Sequence, residues 1–366
     1  MAKICFLADA ESIHTRKWIN YFSDLDNEIY LISMRDTKYK YSENVKSFVI
    51  KPPFGNKLSY FFIVNKIKKL VNEIKPDILH SHYATSYGLF GRISGYHPFI
   101  VSVWGSDVYD FPKSNAFNAK LLKYILNGAD AVCSTSMDMA NETKKYYKSK
   151  KDITITPFGV DINRFKESTS VLQKSYITIG VMKNLNKIYG IDYLISAFND
   201  LCKESNKDIR LMIVGDGEER QNLEGLCTEL NIENKVTFTG KVDNVKVPEY
   251  INMMDIVCIP SLRESFGVAA VEACACGRPV VSTNVGGLTE IVFNDVNGYT
   301  VEPKNIKLLK EKLKILIEDE DKIRKFSVNA RKLVEDRYNW IHNAGTMKKL
   351  YDSFLISGGK TDEQTR

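Results

Sequence analysis

The sequence lacks several features that would assign a function class at once. No stretch reaches eighteen apolar residues, so no membrane-spanning helix is predicted. The apolar opening, residues 4–8, stops at Asp9 without a cleavage pattern, and we expect a first strand there rather than a signal peptide. The seven cysteines show no metal-ligand spacing, which favours a reduced, cytosolic setting. No G-x-G-x-x-G follows the first strand, so a dinucleotide fingerprint is excluded.

The composition is that of an ordinary globular protein, with 44% hydrophobic and 26% charged residues. At 366 residues the chain is long for one core, so two domains are expected. The formal charge is +6 overall, but residues 1–160 carry a net +7 and the remainder a net −1. Two interpretations stay open: a negatively charged partner for the first half, or a compositional bias toward lysine.

Residues 1–160 alternate short apolar strands with helical stretches, and a second alternating segment begins at Tyr176 after a polar linker, 166–174. This alternation predicts parallel sheets with helices on both faces. Ligands of such folds gather at the carboxyl ends of the strands. The strands predicted in the first half are residues 4–8, 29–33, 47–50, 78–81, 99–103 and 131–134.

The most informative stretch, residues 255–287, predicts a strand, a loop, an apolar helix, a second strand and a glycine turn. Glu272 lies within the helix, about residues 266–276, where an ionised carboxylate is costly without a hydrogen-bonding partner such as sugar hydroxyls. Glu264 lies in the loop that precedes this helix. Between the two, the backbone N–H groups of residues 265–268 form a helix N-terminus that suits a phosphate. A nucleotide-sugar site is predicted; the alternative is a solvated Glu264 and a Glu272 paired with a distant lysine.

The order E-S-F-G-x4-E-A-x-A-C-G-x-P-V-V, followed by G-G, resembles the E-x7-E signature of retaining glycosyltransferases with the GT-B fold, in glycosyltransferase family 4. Cys274 stands where that family more often has Met or Leu. The resemblance implies an α/β GT-B fold, with two Rossmann-like doubly wound domains facing each other across a cleft. The implied bounds are an acceptor-binding domain at 1–160, a donor-binding domain at 161–338, a last helix packing back on the first domain at 339–357, and a disordered tail at 358–366.

The resemblance also implies roles on the donor side. Glu272 would bind the ribose hydroxyls and Glu264 the hydroxyls of the donor sugar. Lys183 and Lys187 would hold the diphosphate where the family commonly has G-R-x4-K-G, although Lys183 replaces the arginine and Tyr189 precedes the glycine. Surface lysines in solvent remain the alternative for both. Further donor contacts are assigned to the helix-start residues Phe266, Gly267 and Val268, to Gly215 through its backbone, to Lys241 and Val242 at the base-reading position, and to Gly286 and Gly287 beneath the sugar.

Acceptor-side candidates follow the strands of the first half. Asp107 is predicted to position or deprotonate the acceptor hydroxyl; its alternative is a helix N-cap. Trp104 stands where many relatives place a histidine, and His82 is assigned part of that space. His14 and Arg16 border the implied cleft, or are ordinary residues at a helix start.

The expected function is transfer of a sugar from a nucleotide diphosphate sugar, UDP-linked before GDP-linked, to a hydroxyl of a glycan or lipid-linked acceptor, with retention and without metal or cofactor. The predicted setting is cell-surface polysaccharide assembly (capsule, O-antigen or exopolysaccharide), in the cytoplasm or at the inner face of an anionic membrane, with no nucleic-acid partner. Alternatives are a GT-A transferase using Asp24-Leu25-Asp26 for metal, a sugar-nucleotide epimerase, and a non-catalytic sugar-nucleotide binder.

Overall fold

The computed structural model describes residues 1–54, 59–149, 151–168 and 175–362, with the backbone alone at 61 and 357–362. The chain divides into two compact units. Unit 1 comprises Met1–Pro157 together with Asn343–Arg366, and unit 2 comprises Phe158–His342. Each unit is built around a parallel sheet. Within the described part of the chain, no helix is long and apolar enough to cross a membrane.

The sheet of unit 1 has the strand order β3-β2-β1-β4-β5-β6-β7. The predicted strands are confirmed, each to within two residues, because most strands of a parallel sheet are buried on both faces and mainly apolar; β3, at the edge of the sheet, is half-buried or exposed instead. The two-residue strand β7 was not predicted, since so short a segment leaves no periodicity to detect. The strands are β1 (Lys3–Leu7), β2 (Glu28–Ser33), β3 (Val45–Val49), β4 (Ile78–His82), β5 (Phe99–Val103), β6 (Ala131–Ser134) and β7 (Thr154–Ile155).

Helices cover this sheet and bury their apolar residues against it. In α2, Ile63, Ile67 and Val71 are buried while the lysines between them are exposed, so the apolar stripe of this helix belongs to the core. The helices are α1 (Ile13–Ser23), α2 (Tyr60–Ile74), α3 (Ser86–Ser94), α4 (Ser106–Tyr109), α5 (Phe111–Ser114), α6 (Ala116–Leu126) and α7 (Met137–Lys144).

The last helix, Trp340–Asp362, belongs to unit 1 from Asn343 onward and is numbered α14 after the helices of unit 2. Its Tyr351 stacks on Phe22, with 4.5 Å between ring centroids, and its hydroxyl lies 2.5 Å from Nδ1 of His80. The backbone is helical as far as Asp362, and a disordered tail at 358–366 stays a prediction. Residues 363–366 lie outside the described residues.

The sheet of unit 2 has the strand order β10-β9-β8-β11-β12-β13. Its core is aliphatic, with Phe198 and Phe326 fully buried. The strands are β8 (Ile177–Met182), β9 (Ile209–Val214), β10 (Val236–Gly240), β11 (Ile256–Ile259), β12 (Val280–Thr283) and β13 (Gly298–Val301). The helices are α8 (Ile191–Glu204), α9 (Arg220–Glu229), α10 (Val247–Asn252), α11 (Val268–Ala275), α12 (Ile306–Glu318) and α13 (Glu320–Arg337).

Both sheets are doubly wound, and each has a point at which the strand order changes direction. In unit 1 this point lies between β1 and β4, and in unit 2 between β8 and β11. Consecutive connections leave these neighbouring strands in opposite directions, which opens a crevice at their carboxyl ends where ligands bind. The loops after β1, β4, β8 and β11 are therefore the places to examine.

Candidate functional site

In unit 2 the loop after β8 begins with Lys183, and the loop after β11 carries Glu264. The Nζ of Lys183 forms an ion pair and hydrogen bond with Oε2 of Glu264. Their side chains are only 12% and 11% exposed. The pair thus joins the two sides of the crevice, and because it is largely removed from water, loss of either partner would leave an uncompensated charge.

Neighbouring backbone fixes the loop that carries Lys183. Gly215 has φ +140°, and a Cβ there would collide with the carbonyl oxygen of Lys183. Only glycine lets the turn after β9 lie this close to the loop after β8. The amide of Gly215 also donates to the carbonyl of Gly240, 3.0 Å away, which ties the turns after β9 and β10 together. The predicted backbone role of Gly215 therefore includes a packing function.

The helix predicted from residue 266 begins at Val268, because Gly267 adopts φ +102° and stands at its N-cap. The N-terminus of α11 thus follows directly on the loop that carries Glu264, and helix N-termini attract anions. Phe266 anchors this turn, since its buried ring packs edge-on against the rings of Phe158 and Tyr338, at 5.9 and 5.8 Å between centroids.

Glu272 lies half-buried on α11 among buried alanines and valine. Arg331 holds the far end of this helix, because its Nη1 donates to the carbonyls of Ala275 and Phe165, each at 2.7 Å. The sequence did not identify Arg331; its partners are backbone oxygens, which leave no pattern in a sequence. Gly287 packs on the near end, where a Cβ would come within 2.5 Å of the Phe266 carbonyl oxygen, and Gly286 begins the same 3-10 turn, Gly286–Glu290.

The remaining donor-side residues lie farther from the ion pair. Lys187 is 80% exposed, and its Nζ lies 3.9 Å from Glu219, so the structure does not bring it to Glu264. Lys241 is exposed and Val242 half-buried, directly after β10. A base-reading role for this segment stays a prediction.

In unit 1 the structure corrects the prediction for Asp107. Its side chain is fully buried and accepts hydrogen bonds from the amides of Ala84 and Gly105, both at 2.8 Å, and of Trp104 at 3.2 Å. Burial raises the pKa of Asp107, while these donors lower it. With its oxygens bound to backbone and closed to solvent, Asp107 joins the loop after β4 to the end of β5. It is not placed to deprotonate an acceptor hydroxyl.

The other acceptor-side candidates surround the β1–β4 crevice. The Trp104 ring lies 4.7 Å from that of His82 and 6.0 Å from that of His14. Arg16 donates to the Ala10 carbonyl at 3.3 Å and to Oγ1 of Thr37 at 3.2 Å. Burial lowers the pKa of His14 to about 4 and holds that of His82 well below its ordinary value. His82 is only 1% exposed, so it is not placed to contact an acceptor, and the half-buried His14 and Trp104 are the members of this aromatic cluster that solvent reaches.

His80, on β4 beside His82, was not predicted as part of this cluster. Burial lowers its pKa to about 3, and its ring bonds the hydroxyls of Tyr351 and Ser102 at 2.5 and 2.8 Å. Within the described residues, no group of three or more His, Cys, Asp or Glu side chains is arranged to hold a metal ion.

Two family models match this chain. The model "Glycosyl transferases group 1" matches residues 163–333, and the model "Glycosyl transferase 4-like" matches residues 3–136. The chain is a GT-B glycosyltransferase. This fold overturns the GT-A alternative, and Asp24 and Asp26 indeed lie at the exposed end of α1 rather than after a strand.

Among curated relatives, the glycosyltransferase is similar to N-acetyl-alpha-D-glucosaminyl L-malate synthase of Bacillus anthracis, with 29% identity over 75% of this chain and 74% of the relative. It is also similar to the capsular polysaccharide biosynthesis glycosyltransferase CapM of Staphylococcus aureus, with 23% identity over 93% of each. Among solved structures, sucrose-phosphate synthase from Thermosynechococcus elongatus superposes with a TM-score of 0.85 at 20% identity, covering 98% of this chain and 100% of that one. The structure of Anabaena HepE in complex with UDP superposes with a TM-score of 0.81 at 21% identity, covering 96% and 100%.

The buried neutral histidines predict that acid destabilises unit 1. Below about pH 6.5 the unfolded chain binds protons at His14, His80 and His82 that the folded chain does not, so the free energy of unfolding falls as pH decreases, by up to about 1.4 kcal/mol per pH unit for each histidine. Urea titrations between pH 7.5 and 5.5, followed by the fluorescence of Trp18 and Trp104 in a Trp340→Phe background, measure this slope. His14→Gln should reduce the slope by about one proton. A free energy of unfolding that does not change over this pH range would contradict the assignment of neutral histidines.

Proposed function

We propose that this glycosyltransferase moves a sugar from a nucleotide diphosphate sugar, UDP-linked before GDP-linked, to a hydroxyl group, with retention at the anomeric carbon. The observation that carries the proposal is the ion pair between Lys183 and Glu264 at the β8–β11 crevice, beside the N-terminus of α11. A cation and a helix N-terminus suit a diphosphate, and the carboxylate beside them suits sugar hydroxyls. The similarity to a UDP-bound HepE structure supports UDP as the nucleotide.

Donor binding exchanges the partners of the ion pair. Lys183 turns its ammonium to the diphosphate and Glu264 accepts hydrogen bonds from the sugar hydroxyls, so that neither buried charge loses a partner. Glu272, on the same face of the crevice, accepts from the ribose hydroxyls. The diphosphate thus replaces Glu264 as the partner of Lys183, and the sugar replaces Lys183 as the partner of Glu264.

Transfer breaks the bond between the anomeric carbon and the diphosphate oxygen and forms a bond from that carbon to the acceptor oxygen on the same face of the sugar ring. The proton of the acceptor hydroxyl passes to the leaving diphosphate, on which negative charge builds as the bond breaks. Lys183 and the amides at the start of α11 stabilise that charge, and we propose that the exposed Lys187 reaches the diphosphate from solvent. Glu264 stabilises positive charge on the sugar ring. We propose no metal ion or cofactor in this step. The anomeric configuration of the product, read by proton NMR from a reaction in EDTA, tests retention and metal independence together.

The donor site predicts stabilisation by nucleotides that depends on Glu272. A hundredfold excess of UDP or a UDP-sugar over its dissociation constant should stabilise the wild-type chain by about 2.7 kcal/mol. Glu272→Ala should abolish this gain, because the ribose loses its acceptor. Thermal unfolding with a panel of nucleotides and nucleotide sugars measures it, with Glu229→Ala, an exposed change at the end of α9, as the matched control. No stabilisation of the wild type by any nucleotide would sink the donor site.

For the acceptor we propose a glycan or lipid-linked saccharide in cell-surface polysaccharide assembly, bound by unit 1. The similarity to CapM, named for capsular polysaccharide biosynthesis, supports this pathway. With Asp107 and His82 both closed to solvent, acceptor contacts fall to the half-buried His14, Arg16 and Trp104. The neutral imidazole of His14 and the indole of Trp104 suit an uncharged sugar ring, which packs its apolar face on aromatic side chains.

We also propose that unit 1 contacts an anionic membrane from the cytoplasmic side. Its net charge is positive in residues 1–160, and α6 presents Phe117, 71% exposed, beside the exposed Lys120 and Lys123. An exposed aromatic ring flanked by lysines is typical of residues that lie at a lipid interface, where each lysine contributes about 1 kcal/mol of attraction.

The membrane contact predicts lipid-dependent sedimentation. At low ionic strength the wild type should sediment with vesicles of phosphatidylcholine that contain phosphatidylglycerol, and stay in solution with phosphatidylcholine alone, because the attraction is electrostatic. Phe117→Ser with Lys120→Glu and Lys123→Glu should lose sedimentation. If the wild type does not sediment with anionic vesicles, the proposed membrane contact is wrong, whereas the proposed donor site is unaffected.

A further inference from the structure

We infer that Tyr189 is a positioning residue whose ring face holds the Lys183 ammonium toward the diphosphate of the donor; this inference rests on the proposed function. The Nζ of Lys183 lies 4.7 Å from the centroid of the Tyr189 ring, on the same ammonium that pairs with Glu264. The lysine is thus held from two directions, by a carboxylate and by the negative face of an aromatic ring.

The backbone fixes Tyr189 relative to both partners. Tyr189 ends the 3-10 turn Lys187–Tyr189, and its amide donates to the Asn186 carbonyl at 2.9 Å. In the same turn, the carbonyl of Ile188 accepts a hydrogen bond from the amide of Leu262 at 2.8 Å. Leu262 lies two residues before Glu264. The turn that carries the ring is therefore hydrogen-bonded to the loop that carries the carboxylate.

Gly190 completes this arrangement. It has φ +60°, and a Cβ there would collide with the carbonyl oxygen of Pro260 at the end of β11. The chain therefore turns into α8 directly against β11. The ring of Tyr189, half-buried against the unit 2 core, has little freedom to move away from Lys183.

Lysine needs such support more than arginine does. A guanidinium is a planar fork that can grip two phosphate oxygens at once, whereas an ammonium is a point charge on a flexible four-carbon stem. Once Glu264 has turned to the sugar, the carboxylate no longer restrains Lys183. The Tyr189 ring is then the neighbour that keeps the ammonium in place as charge builds on the leaving diphosphate.

The test replaces the ring by steps and measures kcat and KM for the donor. Tyr189→Phe keeps the aromatic face and should retain kcat/KM within about twofold. Tyr189→Leu removes the aromatic face and should lower kcat/KM about tenfold. The loss should fall mainly on kcat, because the ammonium acts on charge that develops in the transition state. Phenylalanine analogues with increasing fluorination, incorporated at position 189, weaken the ring's negative face at nearly constant shape. The logarithm of kcat/KM should fall steadily along this series.

The control is Tyr176→Leu, which removes a comparable contact between Arg210 and the Tyr176 ring, 5.3 Å from guanidinium to centroid, at the opposite end of β8. It should leave kcat/KM unchanged. A kcat/KM that does not change along the fluorination series, or that falls equally in Tyr189→Phe and Tyr189→Leu, would overturn the positioning role. Turnover by the wild type would still support the donor site in that case. If the wild type neither catalyses transfer nor is stabilised by nucleotide sugars, the proposed function itself is contradicted.

Discussion

The largely buried ion pair between Lys183 and Glu264 is the interaction on which the site in unit 2 depends. It lies where the strand order of the parallel sheet reverses. Charges in such a place need partners at every stage of a reaction, so the residues around Lys183 and Glu264 must supply them in turn. The turn after β9 packs on the Lys183 loop through Gly215. Tyr189 faces the ammonium, and α11 presents its N-terminus beside the carboxylate. The site is built from loops, but each loop is tied to its neighbour through the backbone.

Unit 1 follows a different physical principle at its corresponding crevice. Burial keeps the imidazoles of His14, His80 and His82 neutral at physiological pH. The hydroxyl of Tyr351, on the last helix, forms a hydrogen bond with the ring of His80. A donor site that manages a diphosphate is charged, whereas an acceptor site for uncharged hydroxyls can be neutral and aromatic. The two units thus divide the chemistry that the proposed reaction requires.

The sequence predicts the fold well and the site in part, for reasons that differ by residue. Buried parallel strands are mainly apolar, so most strands of unit 1 are visible in the sequence. The segment from Glu264 to Glu272 is local, and its carboxylates and helix N-terminus follow from a single short stretch.

Asp107 was assigned wrongly because its main partner, the amide of Ala84, lies 23 residues away and belongs to another loop. The start of α11 was placed two residues early because Gly267 takes φ +102°, a conformation that glycine can adopt but that the local pattern does not require. Arg331 escaped for the same reason, since it binds backbone carbonyls that the fold alone brings together.

The central claim is that the ion pair holds the place of the donor and opens when the donor binds. The measurement that tests it most directly is a crystal structure of the protein with UDP and a non-transferable sugar analogue. The account predicts the Nζ of Lys183 within hydrogen-bonding distance of a diphosphate oxygen, the diphosphate at the amides of Phe266–Val268, and Glu264 on the sugar hydroxyls. A nucleotide bound elsewhere, or bound here with the Lys183–Glu264 pair still closed, would contradict the account.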